Sequence, residues 1–289
     1  MAKKKKTAFK DKIAKNVEKQ QQASNSFGYL KLPSGISLFK EADALNKRGQ
    51  VNLDIIPYSV KTKYHPDRDE ELDVATEGTE WYKFPFKIHR NVGASKDTVV
   101  CPTTFGKRCP ICEHRKLMAS QGASKDELKA LNTSKRNLYV VIPHHDKMEF
   151  EPHIWDSSDY LFQQQLQKEL EEDSDYMCFP DLEEGLTLKI RFEEKAFDKN
   201  KFYEANRIDF IEREDAYDEA ILEESPCLDE VLEVLSYDKL KALFFELDPE
   251  DVEEDVDDAE EEEDTIEKPK RRKKTNKKKP EPEPEPEEE

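Results

Sequence analysis

The chain has 289 residues, 39% of them charged and 35% hydrophobic, with a net charge of −19. Its ends are too polar to join a common core, so one central domain is expected rather than two. No run reaches the roughly eighteen apolar residues of a membrane span, the N-terminus lacks the apolar stretch of a secretory signal, and the cysteines suggest no disulfide framework; a reducing cytoplasm is the expected compartment.

Charge falls in blocks. Residues 1–20 hold eight Lys against Asp11 and Glu18, a balance of +6, residues 81–168 stand at +5, and residues 169–247 reverse to −16. The acidic total therefore conceals a basic middle beside an acidic segment. Composition divides the chain into a basic arm (1–26), a central domain (27–247) and a disordered, charged tail (248–289).

In the arm, Phe9, Ile13 and Val17 recur every four residues, which allows a short amphipathic helix that is marginal without a partner. The alternatives are a solvated basic tail and an arm that binds an acidic surface. From Phe27 the pattern turns strand-like, with Tyr29–Pro33 and Val51–Pro57 alternating. After an acidic loop over 67–80, the run Trp81–His89 interleaves aromatics with Lys. A nucleic-acid face needs that mixture, because rings stack bases while Lys tracks phosphates; a half-buried strand produces the same string.

Cys101, Cys109 and Cys112 follow, the last two as Cys-Pro-Ile-Cys. A Cys-x-x-Cys turn brings two sulfurs to one point, Cys101 can add a third, and His89 completes a closed Cys3His set for one structural Zn2+. His114 is the alternative fourth ligand. A redox pair or ordinary small core residues are the competing readings of the cysteines. Arg115–Asn132 reads as helix broken near Gly122, Asn137–Pro143 as a buried strand, and Phe150–Ile154 as another strand. Asp156–Glu172 reads as a helix, Leu186–Phe192 and Phe202–Ile211 as a strand pair, and Leu228–Leu247 as a last amphipathic helix.

Many short strands with a zinc loop between them predict a mainly β fold with peripheral helices. The expected architecture is an OB-type Greek-key barrel, with a zinc subdomain inserted at about 81–132. The tail holds fourteen acids in 248–267, nine Lys/Arg in 268–279 and six Glu in 281–289. Such blocks cannot fold alone and read as interaction segments.

This order of parts resembles one family, the replicative single-stranded-DNA-binding proteins of T-even-like bacteriophages. Lys3-Lys4-Lys5-Lys6-Thr7 is similar to its basic-then-hydroxyl self-association motif, and His89, Cys101, Cys109 and Cys112 match its zinc ligands in order, with slightly shorter gaps. Val51–Pro57, Asn137–Ile142, Ile154-Trp155-Asp156 and Ala196-Phe197 look like further counterparts. Asp97-Thr98 and Lys135-Arg136 stand where the family carries aromatics, and the basic island 268–279 departs from its tail.

The resemblance implies cooperative, sequence-independent coating of single-stranded DNA in replication, recombination and repair, in the cytoplasm of an infected bacterium. It also implies that the tail recruits replication proteins such as a polymerase, a helicase loader and a recombination mediator. No enzyme is expected: no Ser/His/Asp grouping or Gly-rich phosphate loop is legible. Lys83, Lys87, Arg90, Lys107, Arg108, Arg115, Lys135, Arg136, Lys199 and Lys201 are the expected electrostatic groove. Phe84, Phe105, Tyr139, Phe150 and Phe197 are the stacking candidates, each of which could equally be a core side chain. The alternative is a zinc-containing transcription, adaptor or chromatin protein that binds duplex DNA or proteins, with residues 269–274 as a localisation signal.

Overall fold

The computed structural model describes residues 26–148, 151–197 and 200–247. The arm motif Lys3–Thr7, Phe150, Lys199 and the tail lie outside them, and Phe197 is placed by its backbone alone. The described residues form a sheet-rich fold with short helices. Strands β1 (Ser26–Phe27), β2 (Leu30–Lys31) and β3 (Ser37–Leu38) lead through α1 (Glu41–Ala44) to β4 (Gln50–Ile56). Then come β5 (Tyr58–Ser59), β6 (Glu80–Trp81), β7 (Phe84–Val92) and β8 (Asp97–Val100). Helices α2 (Pro110–Ser120) and α3 (Lys125–Ala130) follow, with Gly122 between them at φ 83°. That positive φ, easy only for glycine, ends the first helix where the sequence predicts the break. Strands β9 (Ser134–Pro143) and β10 (His153–Ser158), helix α4 (Gln164–Glu172), the hairpin β11 (Leu186–Phe197)–β12 (Asn200–Glu212), α5 (Ala220–Glu224) and α6 (Tyr237–Phe245) complete the order.

The main sheet runs β12-β11-β4-β9-β10-β3, and β9 also pairs with β7, which carries β8. One edge of β9 pairs with β10 over Arg136–Val141. Its other edge is divided, Ser134–Leu138 going to β7 and Val140–Pro143 to β4. The sheet therefore forks at β9. Every pairing within it is antiparallel except β10–β3. None of the three sheets among the described residues closes on itself, so the architecture is a forked, mainly antiparallel sheet, and the expected OB-type barrel is not confirmed.

Both faces of β9 are covered. Leu138, Val140 and Ile142 join Ile56, Phe84 and Ile88 in one core, closed by Leu228 and Val231. Tyr139 and Val141 join Leu53, Trp155, Phe162 and Leu188 in the other. Each fully buried side chain of this size is worth about 1.5–3 kcal/mol relative to exposure. A third, small cluster gathers Val92, Val99, Cys101, Cys109, Ile111 and Leu240.

Two predicted helices are shorter than the pattern suggests. The one expected from Asp156 starts later, because Asp156–Ser158 still pair with Arg136–Leu138; a π-helical turn over Asp159–Gln163 then leads into α4. The one expected from Leu228 is only α6. Before it, the chain lies extended against β2, where the Lys31 amide donates to Val231 O and the Glu233 amide to Tyr29 O.

A buried carboxylate ties β4 to the segments around the hairpin. Asp54 is 0% exposed and accepts from Thr187 Oγ1 and Tyr217 OH at 2.6 Å each and from His144 Nε2 at 2.9 Å. Arg213 Nε stands 3.6 Å away. Burial alone would raise the Asp54 pKa, but the hydrogen bonds from His144, Thr187 and Tyr217 outweigh it and hold it below the ordinary carboxylate value. A depressed carboxylate contributes stability above its unfolded pKa, and loses it as pH falls through the folded one. Asp54→Ala should therefore cost about 3–5 kcal/mol in urea unfolding at pH 7, since it takes the carboxylate from beside a buried guanidinium and from three donors. The difference from the wild type should shrink below about pH 4. A constant difference between pH 7 and pH 3 would remove the charge from this account.

Candidate functional site

The four predicted ligands converge. Cys101 follows β8, where its amide donates to Lys87 O at 2.8 Å. Pro102–Phe105 make a 3-10 turn that stops at Gly106 in the left-handed region, φ 68°. This reverses the chain towards Cys109, the residue before α2, whose first position is Pro110. Proline suits that position because its missing N–H would be unpaired there anyway. Cys112 lies three residues on, so both sulfurs emerge from the same side of the first turn. His89 reaches in from β7, opposite Val99 of β8.

All four ligand atoms lie within 4.8 Å of one another, and His89, Cys101 and Cys109 are buried. Cys101 Sγ is 3.6 Å from Cys112 Sγ, and His89 Nε2 is 3.4 Å from Cys109 Sγ and 3.6 Å from Cys112 Sγ. Bonds of about 2.3 Å to sulfur and 2.0 Å to nitrogen around a tetrahedral centre give edges of about 3.5–3.8 Å. The cluster is thus shaped to hold one metal ion. Nδ1 of His89 is buried without a hydrogen-bond partner, which leaves Nε2 as the engaged nitrogen. His114, the alternative ligand, instead packs its ring 5.4 Å from Phe244 and 5.3 Å from Phe245.

The electrostatics favour a cation at this point. Hydrogen bonds from Cys109 and Cys112 hold the Cys101 thiol far below the usual thiol range, and the same crowding pushes Cys109 far above it. Burial would lower the His89 imidazole, but its bonds to Cys101 and Cys112 raise it to about 9. Three sulfurs at one point cannot all ionise unless a positive ion sits among them.

The predicted cations are distributed unevenly. Lys87 on β7 stands directly opposite Lys135 on β9, and both are exposed. Arg90 and Lys107 are exposed nearby in sequence. Others are engaged within the fold. Lys83 lies 3.3 Å from Asp67, Arg136 donates to Asp156 Oδ1 at 2.6 Å, and Lys201 to Glu194 at 2.6 Å. Arg115 donates to Asn132 Oδ1 at 2.8 Å, joining α2 to the end of α3. Arg108 donates to Glu113 at 2.9 Å.

Two stacking candidates are withdrawn. Phe84 and Tyr139 are 0% exposed, one in each core: Phe84 lies on the covered face of β7, and Tyr139 on a strand covered on both sides. Phe105 is half-buried and stacks on Phe84 at 5.7 Å. Among the described residues the most exposed aromatics are Tyr64, Tyr160 and Phe245, whereas Trp81 and Tyr82, 5.1 Å apart, are half-buried members of the Trp81–His89 string, which did not mark them out. Trp81 and Tyr82 line a groove of about 570 Å³ with Leu170, Met177 and Phe179, but its rim carries Glu80, Glu171 and Asp181. Those acids repel a phosphate chain.

No helix among the described residues is long and apolar enough to cross a membrane. No family model matches the chain, and a search of curated proteins finds no match either.

Proposed function

We propose that this protein coats single-stranded DNA cooperatively and without sequence preference, in replication, recombination and repair, around a structural zinc ion held by His89, Cys101, Cys109 and Cys112. The observation that carries the reading is the Lys87–Lys135 pair. Like charges directly opposite on adjacent strands destabilise a sheet. Neither lysine carries an ion pair among the described residues. Such a pair is accounted for by an anion that bridges it, and a phosphate chain supplies one without requiring a base sequence.

Lys87 lies two residues before His89, so one metal ligand and one member of the cation pair share β7. The closed donor set, with three thiolates and one imidazole, favours zinc and leaves no position for a reacting molecule. The sheet that forks at β9 is read as an opened relative of an OB-type barrel, with Arg90 and Lys107 extending the cationic surface. The arm residues Lys3–Thr7 supply contacts between neighbouring copies, and the acidic run 248–267 recruits replication proteins.

A gel-shift series with poly-dT and duplex DNA of equal length tests the reading. Binding should favour the single strand, and its affinity should fall with salt at about −0.7 per phosphate contacted. A preference for duplex, or an affinity indifferent to salt, would favour the adaptor or chromatin alternative instead.

A further inference from the structure

We propose that α6 is a metal-dependent latch, docked on the ligand loop only while His89 and the three cysteines hold their ion. This rests on the metal reading above. The metal then determines where the acidic run that follows α6 in sequence is rooted.

The contacts of α6 are concentrated on the segment that the ligands shape. Leu240, 0% exposed, enters the cluster of Val92, Val99, Cys101, Cys109 and Ile111. At the helix start, Tyr237 OH donates to Glu113 Oε2 at 2.7 Å, and the Arg108 guanidinium lies over the Tyr237 ring at 4.8 Å. Arg108 also donates to Glu113 at 2.9 Å, which closes a three-residue clamp directly flanking Cys109 and Cys112. At the helix end, Phe244 and Phe245 grip His114, two residues beyond Cys112. Gly93 makes the close approach possible, since a Cβ there would lie 2.6 Å from Leu243 O.

Neither partner is self-sufficient. A nine-residue helix is marginal in water without packing. The stretch from Cys101 to Cys109 has one 3-10 turn and no strand or α-helix to hold its shape. The ion that fixes this loop therefore also fixes the seat of α6, and coupling of this kind is reciprocal: a docked α6 must tighten metal binding, a gain expected to appear as slower release. Residues 248–267, with their fourteen acids, begin one residue past Leu247. While the latch is closed, Tyr237 is held by Glu113 and Arg108; once open, the helix separates from both.

Hydrogen exchange on the full zinc-loaded chain, before and after a strong zinc chelator, reads the latch directly. Exchange over residues 237–245 should rise at least about tenfold on chelation, while β4 and β11 keep their protection. In parallel, zinc release to the chelator should quicken roughly threefold to tenfold in Tyr237→Phe, which removes one hydrogen bond, and more in Leu240→Ala. If one zinc binds per chain, yet exchange at 237–245 is indifferent to chelation and both variants release zinc at the wild-type rate, the latch is overturned and the metal site stands. If the chain takes up no zinc at all, the metal reading itself falls, and the latch with it.

Discussion

Replacing Cys109 by Ser is expected to reduce bound zinc from about one ion per chain to nearly none, a loss of at least about 100-fold in metal affinity. The other three ligands cannot compensate, because a hydroxyl is a poor zinc donor and α2 positions Cys109 and Cys112 together. The effect should be local. The two large cores contain none of the ligands, so far-UV dichroism should change little while exchange over 92–114 rises. Affinity for poly-dT should fall, because β7 carries both His89 and Lys87. Elemental analysis of wild-type protein purified without chelators settles the premise. Less than about a tenth of an ion per chain would discard the site as a metal centre.

The double substitution Lys87→Ala/Lys135→Ala should act with opposite signs on folding and on binding. Removing two like charges from one cross-strand pair should raise stability by about 0.2–1 kcal/mol, provided the lysine stems contribute little packing. The same change should reduce the slope of log affinity against log salt by about 1.4, two phosphates at 0.7 each. Urea unfolding and a salt titration on a short poly-dT measure the two halves separately. A variant that loses stability while its salt slope is unchanged would show that the lysines are framework residues and not part of a DNA face.

Local features of the fold were legible and distant ones were not. Cys-Pro-Ile-Cys is a local turn, so its geometry follows from spacing, and Gly122 marks a helix break for an equally local reason. The strands Val51–Pro57 and Asn137–Pro143 announce themselves by β-branched runs, and both form almost as expected. Which aromatics face water could not be read, because alternation on a strand is the same whichever side is covered. Phe84 and Tyr139 were thus indistinguishable from Trp81 and Tyr82 until the second layer was in place. The ion pair of Arg136 with Asp156 depends on two strands meeting, and the seating of Leu240 on Cys109 on a late helix reaching the metal loop. Neither has a counterpart in local pattern.

The double coverage of β9 has a consequence for how its pairing is specified. On a strand with one wet face, a slip of one residue would expose the apolar set and is excluded by solvation alone. Here Leu138 to Ile142 are apolar on both sides, so a slipped strand would still bury oily groups everywhere. Discrimination falls to the few polar ties along its length. Arg136 meets Asp156 at 2.6 Å, the Asn137 amide donates to Asp159 at 3.2 Å, and Tyr139 OH donates to Gln163 at 2.6 Å. Each would lose its partner if the strand moved by one place, leaving a buried donor unmet at about 1–3 kcal/mol apiece. These three side chains act as the alignment pins of the molecule. Replacing all of them with apolar residues of similar size should leave a protein that still collapses but pairs β9 in more than one way.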